Sequence, residues 1–506
     1  MVQTDIHDDP VNPPTWPVLP VEGPATFGLE QGPASWRDDL RRLLIIAGPI
    51  VASTSAESLI SFVDYAIVSC LGPPAQAAVQ SGCMVFFSVF AFVLGMMTCV
   101  STVVSQSLGA GRPRDCSAYA WQGLWLSLVL GTAGVVLGPG LPSFFAWVGH
   151  TPEVQVMEVG YTRIRFLTLG FAGGSIALSH FFNGIHRPRQ GAYAVVASNV
   201  LNGILAYGLV LGKWGLPAMG VEGAAIGTFV ASAFRLTWLV VALMIGPSCA
   251  EYQPRRTWRL DLDKLSRLVR VGWPAGAAFA LDIGAWCVFL VLIVGRFGTA
   301  HLAATSTIWR LTELAFMPAV GIGLAVCAMV GRSIGAGRPD LARRRAALGT
   351  GLSMAYMGAM GLVFLLFGVR LLDLFTNDAE VIAIGAELLV FVAAYQLFDA
   401  AAITMSNALR GAGDTRWPAV VGALQAWTIL VAGGWAVARF FPEFGSRGPW
   451  AFAAAFVIVI GTTFVIRWKQ GKWEQIDVIG RTTPASPSSS AEWIGCDCPS
   501  GSQSSA

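Results

Sequence analysis

The sequence carries little charge. Of its 506 residues only 12% are Asp, Glu, Lys or Arg, about half the share found in soluble domains, whereas 54% are hydrophobic. The formal net charge is only +3 with no basic tract, which excludes a nucleic-acid binder, and the hydrophobic share excludes a disordered protein. Seven of the nine cysteines lie singly in or beside apolar runs, and the Cys496-Asp-Cys498 pair is too sparse for a metal site, so we expect neither disulfides nor a bound metal. An integral membrane protein remains.

Long apolar runs predict the membrane spans. Charge-free windows such as 65–111 and 190–212 are long enough to cross ~30 Å of hydrocarbon as helices. With isolated charges allowed, we predict an all-α integral membrane protein with twelve transmembrane helices, near 43–71, 79–105, 119–148, 161–185, 191–211, 220–245, 271–296, 302–330, 347–372, 381–406, 418–439 and 449–467.

The distribution of basic residues predicts the orientation, because Lys and Arg resist translocation. Of the 33 Lys and Arg, 23 lie in the two terminal flanks and the even-numbered loops, whereas seven, Arg165 among them, lie in odd-numbered loops or the adjoining helix ends. We therefore expect a multi-pass protein of the cytoplasmic (inner) membrane with both termini in the cytoplasm.

The chain contains a tandem repeat. At an offset of 226, residues 95–113 match residues 321–339 with nine identities in nineteen positions. Six spans return the chain to its starting side, so the halves are parallel repeats around a central cleft. The predicted domains are a disordered cytoplasmic leader (1–40), an N-terminal six-helix lobe (41–246), a cytoplasmic linker with an interfacial amphipathic helix (247–270), a C-terminal six-helix lobe (271–467) and a disordered cytoplasmic tail (468–506).

Two glycine motifs have competing interpretations. Both repeats contain Ser-x-Gly-Ala-Gly-Arg-Pro, which could cradle a phosphate, but no Gly-Lys-Ser/Thr follows and each copy ends an apolar span. A helix C-cap with a tight turn is favoured. Gly411-Ala-Gly-Asp414, with Asp399 upstream, is similar to an intramembrane aspartyl protease signature, but Asp414 falls in a basic loop where a dyad at membrane depth could not form.

Acidic residues inside spans are the main functional signal, because each costs roughly 2.5 to 3.5 kcal/mol to insert and needs a partner, a wet cavity or a role. Glu57 and Asp64 are seven residues apart and share one helix face with Ser61. Desolvation favours the neutral acid, so such groups can exchange protons or bind sodium. A structural role, as a capped or hydrated acid, is the competing interpretation.

Other polar and aromatic residues of the spans are weaker candidates. Glu313 follows Arg310 by three residues, so an ion pair competes with a role in coupling. We expect solvent contact for His180 and His186 at the end of the fourth span. Phe86, Trp286 and Trp309 could stack on an organic cation in the cleft, although packing or lipid contact is the more frequent role of such rings.

The ordered motifs resemble those of the multidrug and toxic compound extrusion (MATE) transporters over residues 40 to 467. They are Glu57-Ser-Leu-Ile-Ser-Phe-Val-Asp64 with Gly72 and Ala77-Ala78, Trp214-Gly-Leu-Pro, Met317-Pro, and Asn407-Ala-Leu-Arg-Gly-Ala-Gly-Asp-Thr-Arg-Trp-Pro418. The resemblance implies ion-coupling positions at Asp64, Asp282, Asp399 and Asn202. Ala206 departs from it, since one branch of the family has an aspartate there.

The resemblance implies a secondary antiporter that exports amphipathic, mainly cationic organic solutes in exchange for protons or sodium ions by alternating access. We expect ion coupling at Asp64, Glu57, Asp282, Asp399, Asn202 and Glu313, a cleft lined by Ser61, Phe86, Trp286 and Trp309, and no catalytic residue. We expect no cofactor, no nucleic acid, and action as a monomer in the lipid bilayer. A flippase for lipid-linked precursors, a membrane enzyme and a channel are the alternatives.

Overall fold

The computed structural model describes residues 35–246, 248–376 and 378–480, and within these ranges the chain is helical and has no strand. Each predicted span is present as a long helix, and the helices form two bundles. The all-α membrane fold class is therefore confirmed.

The N-terminal lobe has six long helices: α1 (Trp36–Ser69), α2 (Pro73–Gly109), α3 (Pro113–Leu137), α4 (Pro152–Gly184), α5 (Arg189–Leu211) and α6 (Gly220–Ile245). A short helix, Leu141–Val148, extends α3. The C-terminal lobe repeats the pattern with α7 (Leu262–Val288), α8 (Thr299–Gly335), α9 (Pro339–Asp373), α10 (Ala379–Ala412), α11 (Arg416–Gln425) and α12 (Arg447–Lys469). Both α7 and α11 continue through π-helical turns, to Phe297 and Phe440 respectively.

By length and composition, eleven helices of the described chain can cross a membrane. The long helix missing from that set is α4, which contains Arg163 and Arg165 but packs against α2, α3 and α6 inside its lobe. With twelve spans, both ends of the described chain lie on one side of the membrane, here called the terminal side; the opposite side is the far side.

The Gly-Ala-Gly-Arg-Pro loops end α2 and α8 on the terminal side. The Arg112 amide donates to the Ser107 carbonyl at 2.9 Å, and the Arg338 amide donates to the Ser333 carbonyl at the same distance. The second glycine of each loop has a left-handed backbone, with φ of 70° and 71°. This is the hydrogen-bond pattern of a Schellman cap. The predicted C-caps are confirmed.

The two lobes exchange the terminal halves of their first helices. Residues 43–50 of α1 belong to a buried cluster built mainly from α8, α9, α10 and α12. Residues 268–275 of α7 belong to the N-terminal core with α2, α3 and α4. Across the same boundary, Thr102 donates to the Arg410 carbonyl at 3.0 Å and the buried Gln106 amide donates to the Gly411 carbonyl at 2.9 Å. The lobes are therefore joined at the terminal side.

The predicted leader ends too late. Helix α1 begins at Trp36, and Asp39 is fully buried, with its carboxylate 3.1 Å from the Arg344 guanidinium and 3.3 Å from that of Arg345 in α9. Asp39 therefore links the first helix of the first lobe to the second lobe. The residues next to it in the sequence are charged and had indicated that it belongs to the leader. Residues 1–34 of the predicted leader lie outside the described residues.

The predicted tail begins too early. Helix α12 ends at Lys469, and residues 470–480, here called the C-terminal strap, fold back over the terminal side. Trp473 is fully buried and stacks on Trp468 with ring centroids 4.2 Å apart. The burial of this large ring explains why a segment read as disordered is fixed in place.

The C-terminal strap also reaches the N-terminal lobe. Val478 and Ile479 are 7% and 4% exposed and belong to the N-terminal core cluster. The Arg112 guanidinium donates to the carbonyls of Ile479 and Gly480 at 3.4 Å each. The strap therefore contacts both lobes. Residues 481–506 of the predicted tail lie outside the described residues.

The linker differs from the prediction in one respect. It contains a short helix, Ser248–Tyr252, and a 3-10 turn, Pro254–Arg256, but no separate amphipathic helix. The amphipathic segment is instead the start of α7, which runs on without a break into the membrane. Asp261 caps this helix by accepting hydrogen bonds from the amides of Asp263 and Lys264.

A prediction follows from the close approach of α2 and α8. A Cβ added at Gly109 would clash with the Arg332 carbonyl, and one added at Gly335 would clash with the Gln106 carbonyl. We expect Gly109→Ala and Gly335→Ala to cost about 1–3 kcal/mol, the usual penalty of overpacking, and to lower the thermal unfolding midpoint.

Gly351→Ala in α9 is the matched control, because nothing lies within 4 Å of its added Cβ. This variant should keep or raise the midpoint, since alanine favours a helix interior. An unchanged midpoint in both interface variants would contradict the close packing of the two helices.

Candidate ion and substrate site

Asp64 and Asn202 form the polar centre of the N-terminal lobe. The Asn202 amide donates to both carboxylate oxygens of Asp64, at 2.8 and 2.9 Å, and joins α5 to α1. Asn202 is 5% exposed, and Asp64 is half-buried. One turn earlier on α5, the Asn199 amide donates to the Ala56 carbonyl at 3.1 Å. The two asparagines therefore hold α5 against α1 beside Asp64.

Glu57 has a basic partner. The Arg235 guanidinium of α6 lies 2.7 Å from the Glu57 carboxylate, with side chains 18% and 47% exposed. Ser61 lies between the two acids on the exposed face of α1 and donates to the Glu57 carbonyl at 3.1 Å. The sequence placed Arg235 deep in a span but gave no partner for it, because the pairing bridges 178 positions. The charge of Glu57 is thus compensated within the lobe.

Arg165 lies inside the N-terminal lobe and not at a helix end. Its guanidinium sits 4.2 Å from the ring centroid of Phe86, and its Nε has no hydrogen-bond partner in the described part of the chain. It is close enough to Asp64 for electrostatic attraction. The assignment of Arg165 to a loop flank was wrong, because α4 begins thirteen residues earlier, at Pro152.

Phe86 is buried rather than open to a cleft. It is 3% exposed, stacks on Phe90 with centroids 5.2 Å apart, and belongs to the N-terminal core. The prediction that Phe86 lines the cleft is corrected by this placement. Its ring contacts Phe90 on α2 and Phe166 on α4, a position that hydrophobicity alone does not distinguish from a cleft wall.

The C-terminal lobe holds a second acidic group. Asp282 of α7 and Asp399 of α10 are each partly buried and lie close enough to interact electrostatically. Neither carboxyl has a hydrogen bond or an ion pair with another residue of the described ranges. Tyr395, one turn before Asp399, is 8% exposed. Two neighbouring carboxylates repel in apolar surroundings, so a bound proton or metal cation would stabilise the pair.

Aromatic rings adjoin this acidic pair. Trp286, one helical turn after Asp282, meets Trp309 edge-on with centroids 5.3 Å apart, and it also contacts Phe289 and Phe456. Trp309 is 39% exposed. The two tryptophans predicted for the cleft are therefore brought together beside an acid, an arrangement that suits an organic cation.

Glu313 and Arg310 form no direct salt bridge in the described chain, although they are close enough for their charges to attract each other. Arg310 lies over the rings of Tyr65 and Phe62, at 4.9 and 5.8 Å from their centroids, and no ion pair with Glu313 occurs in the described chain. Glu313 lies beside the Ser58 hydroxyl of α1. Both side chains thus point across the lobe boundary, which explains why the i,i+3 spacing did not produce a salt bridge.

The two histidines are less accessible than the sequence suggested. His180 is 6% exposed, so the expectation of solvent contact was wrong. His186 is half-buried between the lobes, where its ring lies 3.3 Å from the Ala328 carbonyl and 3.3 Å from the Arg332 guanidinium. Sequence reasoning missed this contact because the partners are more than 140 positions apart.

Within the described ranges, no three His, Cys, Asp or Glu residues are grouped as a metal site would require. The acidic pair of the C-terminal lobe supplies oxygen ligands of the kind that hold sodium, or carboxyls that hold a proton.

A protein-family model matches more than half of the chain. The MatE family model matches residues 49–208 and 284–435, which together exceed half of the chain. The probable multidrug resistance protein NorM of Mesorhizobium japonicum is 27% identical over 443 residues, covering 86% of this chain and 94% of that protein. The multidrug resistance protein NorM of Burkholderia vietnamiensis is 30% identical over 422 residues, covering 81% and 89%.

Solved structures with the same fold include a MOP superfamily transporter from Pyrococcus furiosus, described as having a binding pocket of reverse polarity. Its TM-score is 0.79 at 19% identity, covering 89% of this chain and 99% of that one. A multidrug resistance MATE family transporter in an outward-facing conformation has a TM-score of 0.79 at 18% identity, covering 87% and 97%.

The Glu57–Arg235 pair generates a prediction about stability. Glu57→Gln leaves the arginine without its counter-charge and should lower the free energy of unfolding by about 1–2 kcal/mol, less than for a fully buried pair because Glu57 is half exposed. The double variant Glu57→Gln/Arg235→Gln should recover most of this loss. Thermal unfolding in detergent measures both. Glu443→Gln, an exposed acid, is the control, and strictly additive losses in the double variant would exclude the pairing.

Proposed function

The chain belongs to the MATE family of efflux transporters, and on that premise we propose that it exports amphipathic, mainly cationic organic solutes in exchange for protons or sodium ions. It is a multi-pass membrane transporter and not an enzyme. We further propose that it works as a monomer in the inner membrane with the terminal side in the cytoplasm. The basic loops of that side support this orientation.

The observation that carries the proposal is the acidic pair Asp282–Asp399. Both carboxyls lie near the middle of their helices and have no basic partner in the described chain. In the N-terminal lobe, by contrast, Glu57 pairs with Arg235, and Asp64 accepts hydrogen bonds from Asn202 and is attracted to Arg165. An acidic pair at membrane depth needs a proton or a cation to balance it. We therefore assign the coupling ion to the C-terminal lobe.

The same site can select the solute. A lipophilic cation that stacks on Trp286 and Trp309 would compete with the coupling ion for the charge of Asp282. Competition for one charge couples the two fluxes, because binding of either species releases the other. Exchange of one monovalent ion for one monovalent cation moves no net charge, so the concentration gradient of the ion drives export. Each tenfold ion gradient supplies about 1.4 kcal/mol, enough for roughly a tenfold solute gradient. No nucleotide is required.

Alternating access requires the lobe contacts to break on one side at a time. The hydrogen bonds of Thr102 and Gln106, the ion pairs of Asp39 and the C-terminal strap all join the lobes in the terminal half. This arrangement supports a conformation closed at the terminal side and open towards the far side. We propose that the opposite conformation forms when these contacts separate.

A flippase for lipid-linked precursors is the alternative of the same architecture. Such a protein needs basic side chains in the cleft to hold phosphates. Here Arg235 is engaged by Glu57, Arg310 lies over two aromatic rings, and the acidic group of the C-terminal lobe would repel a phosphate. Export of cationic solutes is better supported.

The aspartyl protease alternative was based on Asp414. This residue is paired with Arg467 at 2.8 Å, so its carboxylate is engaged in an ion pair.

The first functional prediction concerns coupling. In proteoliposomes, uptake of tetraphenylphosphonium driven by an imposed pH or sodium gradient should fall roughly tenfold or more in Asp282→Asn and Asp399→Asn, since an uncoupled variant loses the roughly 1.4 kcal/mol that each tenfold ion gradient supplies. Asp263→Asn, an exposed acid at the start of α7, is the control and should transport normally.

Three outcomes would count against this proposal. Wild-type uptake that ignores both gradients would exclude antiport. Full coupling in both variants would exclude the C-terminal acids. Uncoupling in Asp64→Asn alone would move the ion site to the N-terminal lobe.

The second functional prediction concerns the C-terminal strap. Trp473→Ala removes the stack on Trp468, so the terminal side should open more often. In a background with Cys327 as the only cysteine, maleimide should label that buried interface thiol several-fold faster in the variant, because local opening controls access.

Cys83 as the only cysteine is the control, because it contacts the Tyr161 hydroxyl in a partly buried cluster of the N-terminal lobe that contains no residue of the strap. Its labelling should not change. Equal acceleration at both thiols would indicate general unfolding, and no acceleration at Cys327 would exclude a gating role for the strap.

A further inference from the structure

The linker between the lobes encloses a basic pocket that the transport cycle does not use. The pocket has a volume of about 350 Å³ and lies between the start of α3 and the linker on the terminal side. Its charged lining residues are Arg114, Asp115, Arg256, Arg259, Asp261 and Lys264.

Both acids of the pocket pair with the same base, Lys264, and the six charged residues keep a net charge of +2. Lys264 lies 2.7 Å from the Asp261 carboxylate and 3.6 Å from that of Asp115. By contrast, Arg114, Arg256 and Arg259 are exposed and have no ion pair with any described acid. Three guanidinium groups are therefore available to an anion at one rim of the pocket.

The pocket is preformed because α3 holds the linker backbone. The Trp121 and Trp125 indoles donate to the carbonyls of Pro254 and Trp258, at 3.0 and 3.1 Å. The fully buried side chain of Gln122 makes two hydrogen bonds to the linker backbone. Its amide donates to the Arg259 carbonyl at 3.1 Å, and its carbonyl accepts from the Asp261 amide at 3.2 Å. These bonds fix the loop that carries the arginines.

Apolar side chains of the same loop point outward. Trp258, Leu260 and Leu262 are 51%, 53% and 69% exposed. Trp125, whose indole holds the Trp258 carbonyl, lies twelve residues after Pro113, the first residue of α3. Trp258 is therefore anchored about 18 Å along the helix from its start. The linker thus extends from the basic rim towards the depth of the acyl chains. A soluble phosphate would contact only the arginines, whereas a phospholipid can contact the arginines with its headgroup and the apolar side chains with its acyl chains.

We propose that this pocket binds the headgroup of an anionic glycerophospholipid from the surrounding leaflet. The phosphate contacts Arg114, Arg256 and Arg259, and the acyl chains lie against Trp258, Leu260 and Leu262. The bound lipid bridges α3 of the first lobe and the start of α7. This site is independent of the acids that couple transport.

The test compares two triple variants of the full-length, delipidated protein by native mass spectrometry with added phosphatidylglycerol. Arg114→Gln/Arg256→Gln/Arg259→Gln should weaken binding roughly 100-fold, since each basic side chain at a membrane surface contributes about a factor of five. The control, Arg189→Gln/Arg416→Gln/Lys469→Gln, removes the same charge from exposed positions on the terminal side outside the pocket and should bind normally.

Two further ligands separate the sources of the phosphate. Phosphatidylcholine should bind wild-type protein about tenfold more weakly or worse, because its headgroup carries no net charge. Glycerol phosphate, the soluble headgroup, should not displace the lipid. Displacement by glycerol phosphate would make this a site for a soluble phosphate ester and overturn the lipid assignment.

Equal weakening of phosphatidylglycerol binding in the two triple variants would show diffuse surface attraction and would also overturn the proposal. If the pocket triple does not fold, the single variants Arg256→Gln and Arg259→Gln replace it, each with about a fivefold loss expected. Both arginines are exposed and unpaired in the described chain, so their loss should leave the fold intact. Unchanged affinity in both single variants would contradict the site.

Discussion

Electrostatic repulsion between Asp282 and Asp399 is the interaction on which the proposed mechanism depends. Two carboxyls near one another in apolar surroundings cannot both stay ionised without a counter-charge, and the described chain offers them no basic residue. A proton or a sodium ion is the simplest counter-charge. Because such an ion comes and goes with the side to which the site opens, the pair converts an ion gradient into a preference for one conformation.

The two halves of the chain have the same architecture but different electrostatics. In the first lobe Asp64 is held by Asn202, and Glu57 is compensated by Arg235. In the described part of the second lobe, Asp282 and Asp399 have no basic partner, and Asp282 lies one helical turn from the Trp286–Trp309 pair. Duplication thus provides two bundles that can rock against each other, and the difference in charge lets one serve as support while the other binds ion and solute.

Much of the fold was predictable because hydrophobicity and repeat spacing report on lipid contact directly. The spans, the parallel duplication and the Gly-Ala-Gly C-caps all follow from short-range patterns. The misplaced features depend on distant partners. Asp39 is buried only because Arg344 and Arg345 approach it from α9, and Trp473 is ordered only because Trp468 lies beneath it. In the site, the acids were identifiable by their cost in lipid, but the compensation of Glu57 and the burial of Phe86 require three-dimensional neighbours.

The most direct test of the central claim is to measure ion release when a lipophilic cation binds. In weakly buffered detergent solution, tetraphenylphosphonium should displace about one proton, or one radiolabelled sodium ion, per molecule bound, since both compete for one charge. This release should disappear in the Asp282→Asn/Asp399→Asn double variant, which lacks both carboxylates. Release of the same size from the double variant, or binding without any release from the wild-type protein, would contradict coupling through this pair.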